Sequence, residues 1–162
     1  MKRQILISIV ILLMTISFAQ TDRVNTLFAA PNCIKFANSF LGNDKSKIIA
    51  DYGNDYTSQQ TTDGLSISYQ NKMMKGINPL MMTFIFTSNS NKCTGVAIYF
   101  DYMQLDDVIK FMNKNFESKD PPAGVKVSFF KAWMQNQNGK TYVWKLTKTD
   151  KVFFLTMRPL NR

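Results

Sequence analysis

A chain of 162 residues with 45% hydrophobic and 13% aromatic content has the length and apolar supply for one domain with a sizeable core. Its twenty bases outweigh eleven acids for a net charge of +9. The bases are spread thinly, with no Lys/Arg block, so a nucleic-acid-binding stripe is not expected. The chain has no histidine, which removes Ser-His-Asp and Cys-His nucleophilic sites, the commonest general base and imidazole-bound zinc.

The first element has the layout of a secretory leader. Lys2 and Arg3 precede an apolar run from Ile5 to Phe18, and Ser17-Phe18-Ala19 puts small residues where a signal peptidase inspects the chain. A membrane helix needs ~18–20 apolar residues, more than this run supplies before the polar Gln20-Thr21-Asp22-Arg23. Residues 1–19 are therefore expected to be cleaved between Ala19 and Gln20, leaving residues 20–162 with a net charge of +7. An exported chain, periplasmic or secreted, with no further membrane-spanning segment, is the expectation.

A helical lead-in follows over 22–42. Val24, Leu27 and Phe28 show helical spacing up to Pro31, and Cys33, Ala37, Phe40 and Leu41 recur at i, i+4, i+7 and i+8. Gly42 supplies the left-handed geometry of a helix end. Asn43-Asp44 can then cap a short helix, Lys45–Tyr52, that buries Ile48, Ile49 and Tyr52 and stops at Gly53. After the turn Thr62-Asp63-Gly64, strands are expected at Leu65–Tyr69, at Met81–Thr87 and at Cys93–Asp101.

The second half repeats the order. Leu105, Val108, Ile109, Met112 and Phe116 mark a helix with Asp106 and Asp107 in its first turn, where negative charge complements the helix dipole. Strands follow at Val125–Met134, at Thr141–Lys148 (Tyr142, Trp144 and Leu146 inward; Val143, Lys145 and Thr147 outward) and at Phe153–Met157. Asn138-Gly139 is a strong hairpin signal, because both residues tolerate positive φ. The expected fold is α+β: two tandem α-β-β-β units, over 44–101 and 105–158, forming an antiparallel sheet with helices packed on one face. An all-β barrel with one helix is the alternative.

Few residues carry chemistry. Cys33 and Cys93 could form a disulfide in an exported chain, and closing that loop would contribute roughly 4 kcal/mol on the chain-entropy model. Both could equally be buried thiols, and the CxxC spacing of a redox enzyme is missing. No GxxxxGK[ST] or GxGxxG loop marks a nucleotide site, and no cofactor or metal is expected. Asp101, Asp106, Asp107 and Glu117 could run glycoside hydrolysis if two of them were suitably held. Helix capping is their commoner use, and neither they nor Asp51, Asp55 and Asp63 form a calcium loop. Trp133, Tyr142 and Trp144 are candidates for a carbohydrate-stacking surface, although core filling is the default role of such rings.

The run Phe40-Leu41-Gly42-Asn43-Asp44-Lys45-Ser46-Lys47-Ile48-Ile49-Ala50-Asp51-Tyr52-Gly53, with the later Ser66-Ile67-Ser68-Tyr69, resembles a small envelope module. It is the glycine-turn, short-helix, aromatic-strand module of BamE (SmpA/OmlA)-type proteins, which recurs in tandem in β-lactamase inhibitor proteins. The downstream part from Cys93 through Leu105-Asp106-Asp107-Val108-Ile109 to Trp133 and Tyr142-Val143-Trp144 is similar to other exported bacterial proteins. The resemblance implies a non-enzymatic domain that binds another envelope or extracellular protein. This chain lacks the lipidated cysteine of BamE-type proteins, and no inhibitor contact residue can be carried over. A binder of anionic glycan or lipid, using the scattered lysines, is the alternative function, and a carboxylate-dependent hydrolase a further one.

Overall fold

The computed structural model describes residues 27–28, 33–62, 64–71, 79–88, 90–119, 128–137 and 139–160. The leader and its cleavage point at Ala19 and Gln20 lie outside them. The chain runs through α1 (Cys33–Phe36), a 3-10 turn (Ala37–Phe40), α2 (Lys45–Tyr52), β1 (Thr57–Thr61), β2 (Gly64–Gln70), β3 (Met81–Thr87) and β4 (Cys93–Phe100). A second 3-10 turn (Tyr102–Gln104) leads into α3 (Leu105–Asn115), then β5 (Glu117–Ser118), β6 (Lys131–Gln137), β7 (Lys140–Lys148) and β8 (Phe153–Pro159).

All eight strands form one antiparallel sheet in the order β1-β2-β3-β4-β8-β7-β6-β5. Two four-stranded meanders meet where β4 pairs with β8, from Val96↔Met157 to Phe100↔Phe153. This overturns the expected α+β arrangement of tandem α-β-β-β units. The sheet dominates the molecule, each half contributes four strands, and α1, α2 and α3 have only four, eight and eleven residues. The missed strands carry no apolar alternation. β1 reads Thr-Ser-Gln-Gln-Thr and is exposed along its length, and β5 is a two-residue bridge to Met134 and Trp133. The strand expected from Val125 begins at Lys131, with 125–127 outside the described residues.

Side-chain alternation sets what is buried. Ile67, Tyr69, Met82, Phe84, Val96, Ile98, Phe100, Trp133, Trp144, Leu146, Phe153, Leu155 and Met157 point to one face and are at most 1% exposed. The helices sit over that face. Phe40 meets Phe84 edge-on at 5.1 Å, Tyr52 stacks on Phe84 at 6.1 Å, and Phe116 lies 5.9 Å from Trp144. Val108 and Met112 of α3 and Ile48 of α2 complete the same cluster. Burying rings of this size stabilises the layer by roughly 2–3 kcal/mol each relative to exposure.

Local chemistry explains the element ends. Asp101 caps the second 3-10 turn: its carboxylate accepts from the Met103 N–H, while the Gln104 side chain accepts from the Asp101 N–H at 3.4 Å. Asp44 does not cap α2 through its side chain and instead forms an exposed 2.9 Å ion pair with Lys92. Between β3 and β4 the register shifts after Ile85, so that Ile85 and Phe86 of β3 face Gly95 and Cys93 of β4. The extra residue, Thr94, turns Cys93 into the core together with Val96, Ile98 and Phe100.

Candidate functional site on the uncovered sheet face

The residues singled out from sequence are mostly interior. Trp133 and Trp144 are cross-strand partners on the core face and fully buried. Their indole N–H groups donate to Asn113 Oδ1 at 2.8 Å and Gln135 Oε1 at 2.9 Å. Tyr142 is half-buried beside them. A fully buried ring cannot stack on a sugar, so the expected stacking surface of Trp133, Tyr142 and Trp144 is left without its two indoles. Its rings fill the core, the usual fate of inward strand residues.

The disulfide is absent too: Cys33 and Cys93 are free, buried thiols. The Cys93 thiol donates to the Gly95 carbonyl at 3.2 Å. Burial pushes Cys33 up to about 12 and Cys93 up to about 11, the reverse of what a reactive thiolate needs. Loss of solvation, then the neighbouring Tyr56 and Tyr52, likewise pushes the Tyr69 hydroxyl up.

The carboxylates are not assembled into a site. Asp101 is occupied as a cap, Asp106 and Asp107 are exposed in the first turn of α3, and Glu117 pairs with Lys119 at 2.5 Å. Among the described residues no group of three His, Cys, Asp or Glu side chains could hold a metal ion. Among them, also, no helix is long and apolar enough to cross a membrane.

What sequence reasoning missed is the opposite face of the sheet, on which no described helix packs. Strand register lines up Thr57, Ser68, Thr83, Ala97, Thr156, Lys145 and Ala132 in one row across seven strands. From Ser68 to Thr156 the row holds only small side chains, and the Ser68 and Thr83 hydroxyls join at 2.8 Å. Bulkier rows run on each side: Met81, Tyr99 and Phe154 on one, Ile85, Val143 and Met134 on the other. Thr83 and Ala97, 6% and 3% exposed, therefore form the floor of a shallow trough. With strands ~4.8 Å apart, the trough from Ser68 to Lys145 is about 19 Å long.

At its β7–β8 end the trough opens into a depression of about 500 Å³, lined by Lys145, Thr147, Phe154, Thr156, Arg158 and Leu160 among others. Two cations frame it. The Lys145 ammonium sits 5.2 Å from the centre of the Phe129 ring. Arg158, opposite Val143, lies across Gly95. A Cβ at Gly95 would stand 3.2 Å from Arg158 Cγ and 3.5 Å from its Nε, so the glycine leaves the space in which the arginine lies along the sheet. Arg158 has no hydrogen-bond or ion-pair partner among the described residues. On this face the described strands carry one acid, Glu117 at the far edge, already paired with Lys119. The Thr147 and Thr156 hydroxyls donate to the Ser128 and Lys145 carbonyls. The outward position of Lys145 was legible in the alternation of β7. Nothing in the sequence marked its neighbour as Arg158.

No protein-family model, curated protein or solved structure matches this chain.

Proposed function

We propose that the chain is an exported, non-enzymatic binding protein of the bacterial envelope. It acts through protein–protein contacts made by the sheet face opposite the described helices, and its partner presents carboxylate groups to Lys145 and Arg158. The observation that carries this reading is the pair of exposed cations that line one depression together with Val143, Phe154 and Leu160, with no acid beside them in the described strands. A guanidinium lying along a sheet matches a carboxylate in two-point geometry, and an exposed pair of this kind contributes up to about 1 kcal/mol. Partly exposed Met81, Ile85, Tyr99 and Met134 continue the same surface, and apolar patches framed by charge are where partners dock. The resemblance of residues 40–53 and 66–69 to envelope-protein modules supports the same class of activity, and the leader-like start supports export.

The test is a crosslinking capture of the tagged chain from its own cell envelope, beside the variant Lys145→Glu/Arg158→Glu. One dominant protein partner, lost in the charge-reversed variant and weakened by salt, is the expected result. A dominant partner retained equally by the variant would place the contact elsewhere and overturn the face assignment. Anionic glycan or lipid in place of protein, lost with the same charge reversal, would replace the protein partner with a polyanion on the same cations.

A further inference from the structure

The two ends of the sheet are unlike, and the difference points to a second interaction surface, independent of the trough. β5 closes one end with only two residues and a charged pair, Glu117 and Lys119. Short length and charge are how edge strands are kept from pairing with other chains. β1 closes the other end. It pairs with β2 over all five residues without a register break, from Thr57↔Ser68 to Thr61↔Gly64. Its residues are Thr57, Ser58, Gln59, Gln60 and Thr61, every one exposed. None is charged, none is proline or glycine, and no bulge turns the strand aside. Among the described residues no strand lies beyond it.

We infer that β1 is a self-pairing edge: two copies of this chain join β1 to β1, antiparallel, about a two-fold axis, to make one continuous sheet. Alternate residues of an antiparallel edge turn both N–H and C=O outward, ready for a further strand. A two-fold contact requires a surface that complements itself. A run of Ser, Thr and Gln does so, because hydroxyls and amides hydrogen-bond across strands to their own kind. Charge favours a second copy at this place above others. Two chains that each carry +7 after loss of the leader repel, and β1 is a strand along which they can approach without setting like charges face to face. A foreign strand would gain the same backbone bonds, but only a second copy is certain to bring a neutral, matching partner. Five paired residues bury less than a stable interface needs, so the dimer forms by mass action at high concentration.

Sedimentation velocity of the purified chain over about two decades of concentration tests this. The sedimentation coefficient should rise from the monomer to the dimer value, and Gln59→Lys should hold it at the monomer value throughout. Gln59 shares the solvent face with Ser66, so the substitution should leave the far-UV spectrum and melting temperature unchanged. Ser118→Lys, on the β5 edge, should leave the dimer intact. Cysteine trapping gives a second readout should Gln59→Lys fail to fold. Cys33 and Cys93 are buried, so Gln59→Cys supplies the accessible thiol, and mild oxidation should link the chains in high yield while Ser118→Cys does not. A monomer at every concentration, a dimer indifferent to Gln59→Lys, or equal trapping at both edges would overturn the inference.

Discussion

The two buried thiols should make the fold fail in alkali in a way that substitution can isolate. Cys33 and Cys93 are each 2% exposed, and burial raises them from 9.0 to about 12 and about 11. The sign follows from which state holds the proton. Below pH 9 both folded and unfolded chains keep their thiols protonated, and the preference for the neutral form is fully expressed. Between pH 9 and 11 the unfolded chain loses these protons while the folded chain must keep them, so stability falls. The slope is about 1.4 kcal/mol per pH unit for each thiol. At pH ~10.5 the two together should have removed on the order of 4 kcal/mol, or about 10 °C of melting temperature in a domain of this size. The assay is thermal melting by far-UV circular dichroism at pH ~8 and ~10.5 for the wild type, Cys33→Ala, Cys93→Ala and the double variant. Each single variant should lose about half of the alkaline drop, and the double variant most of it. The lysines and the raised Tyr69 are common to all four proteins, so the difference belongs to the thiols. A double variant that melts with the wild-type pH dependence would refute the burial of these cysteines.

Other expectations rest on single contacts. Gly64 has φ +146° and a Cβ built there would lie 2.0 Å from the Phe86 carbonyl oxygen. Gly64→Ala should therefore cost about 3 kcal/mol or more, and an unchanged urea midpoint would contradict the close approach of β2 and β3. The Tyr69 hydroxyl donates to the buried Gly53 carbonyl at 2.8 Å. Tyr69→Phe should lose about 1–2 kcal/mol in the same titration, since it strands an acceptor, and a neutral result would mean that this bond is not made. Trp133 and Trp144 should emit in the blue and resist iodide quenching until the chain unfolds, and quenching in the native state would reopen the stacking surface.

Elements with a buried stripe were legible in the sequence, and elements without one were not. Leu65–Tyr69, Met81–Thr87 and Phe153–Met157 alternate because the core takes every second residue, and each lies in a strand. The positions 105, 108, 109, 112 and 116 repeat at helical spacing because α3 and its end lean on Trp144 and its neighbours. β1 leans on nothing. A strand held to β2 by backbone bonds and by the Thr61 and Ser66 hydroxyls leaves no apolar period, so its five residues resemble a polar loop, and omitting it turned a four-stranded meander into three strands. The same blindness hid the two-residue β5. Missing both is what made the helix layer look like half of the architecture, when it is a thin cover on a broad sheet.

The site was hidden for a different reason: it is built from what the strands do not bury. Alternation assigns Trp133, Trp144 and Tyr142 to one face, and large rings invite a functional reading, yet size and apolarity are what the core selects. The outward residues Thr83, Ala97, Thr156, Lys145 and Arg158 look unremarkable one at a time. They become a trough with a basic end only through register, because Ala97 faces Thr156, Thr156 faces Lys145, and Gly95 makes room for Arg158. Register across β4 and β8 joins residues some sixty positions apart, and no local pattern encodes it. Gly95 shows the point most sharply. It sits mid-strand with no positive φ, where glycine costs about 1 kcal/mol of backbone entropy relative to alanine. A Cβ there would also stand 3.3 Å from the Met157 carbonyl oxygen of β8, and the space the glycine leaves is filled by the stem of an exposed arginine. The glycine thus leaves room for the arginine stem to lie along the face opposite the described helices.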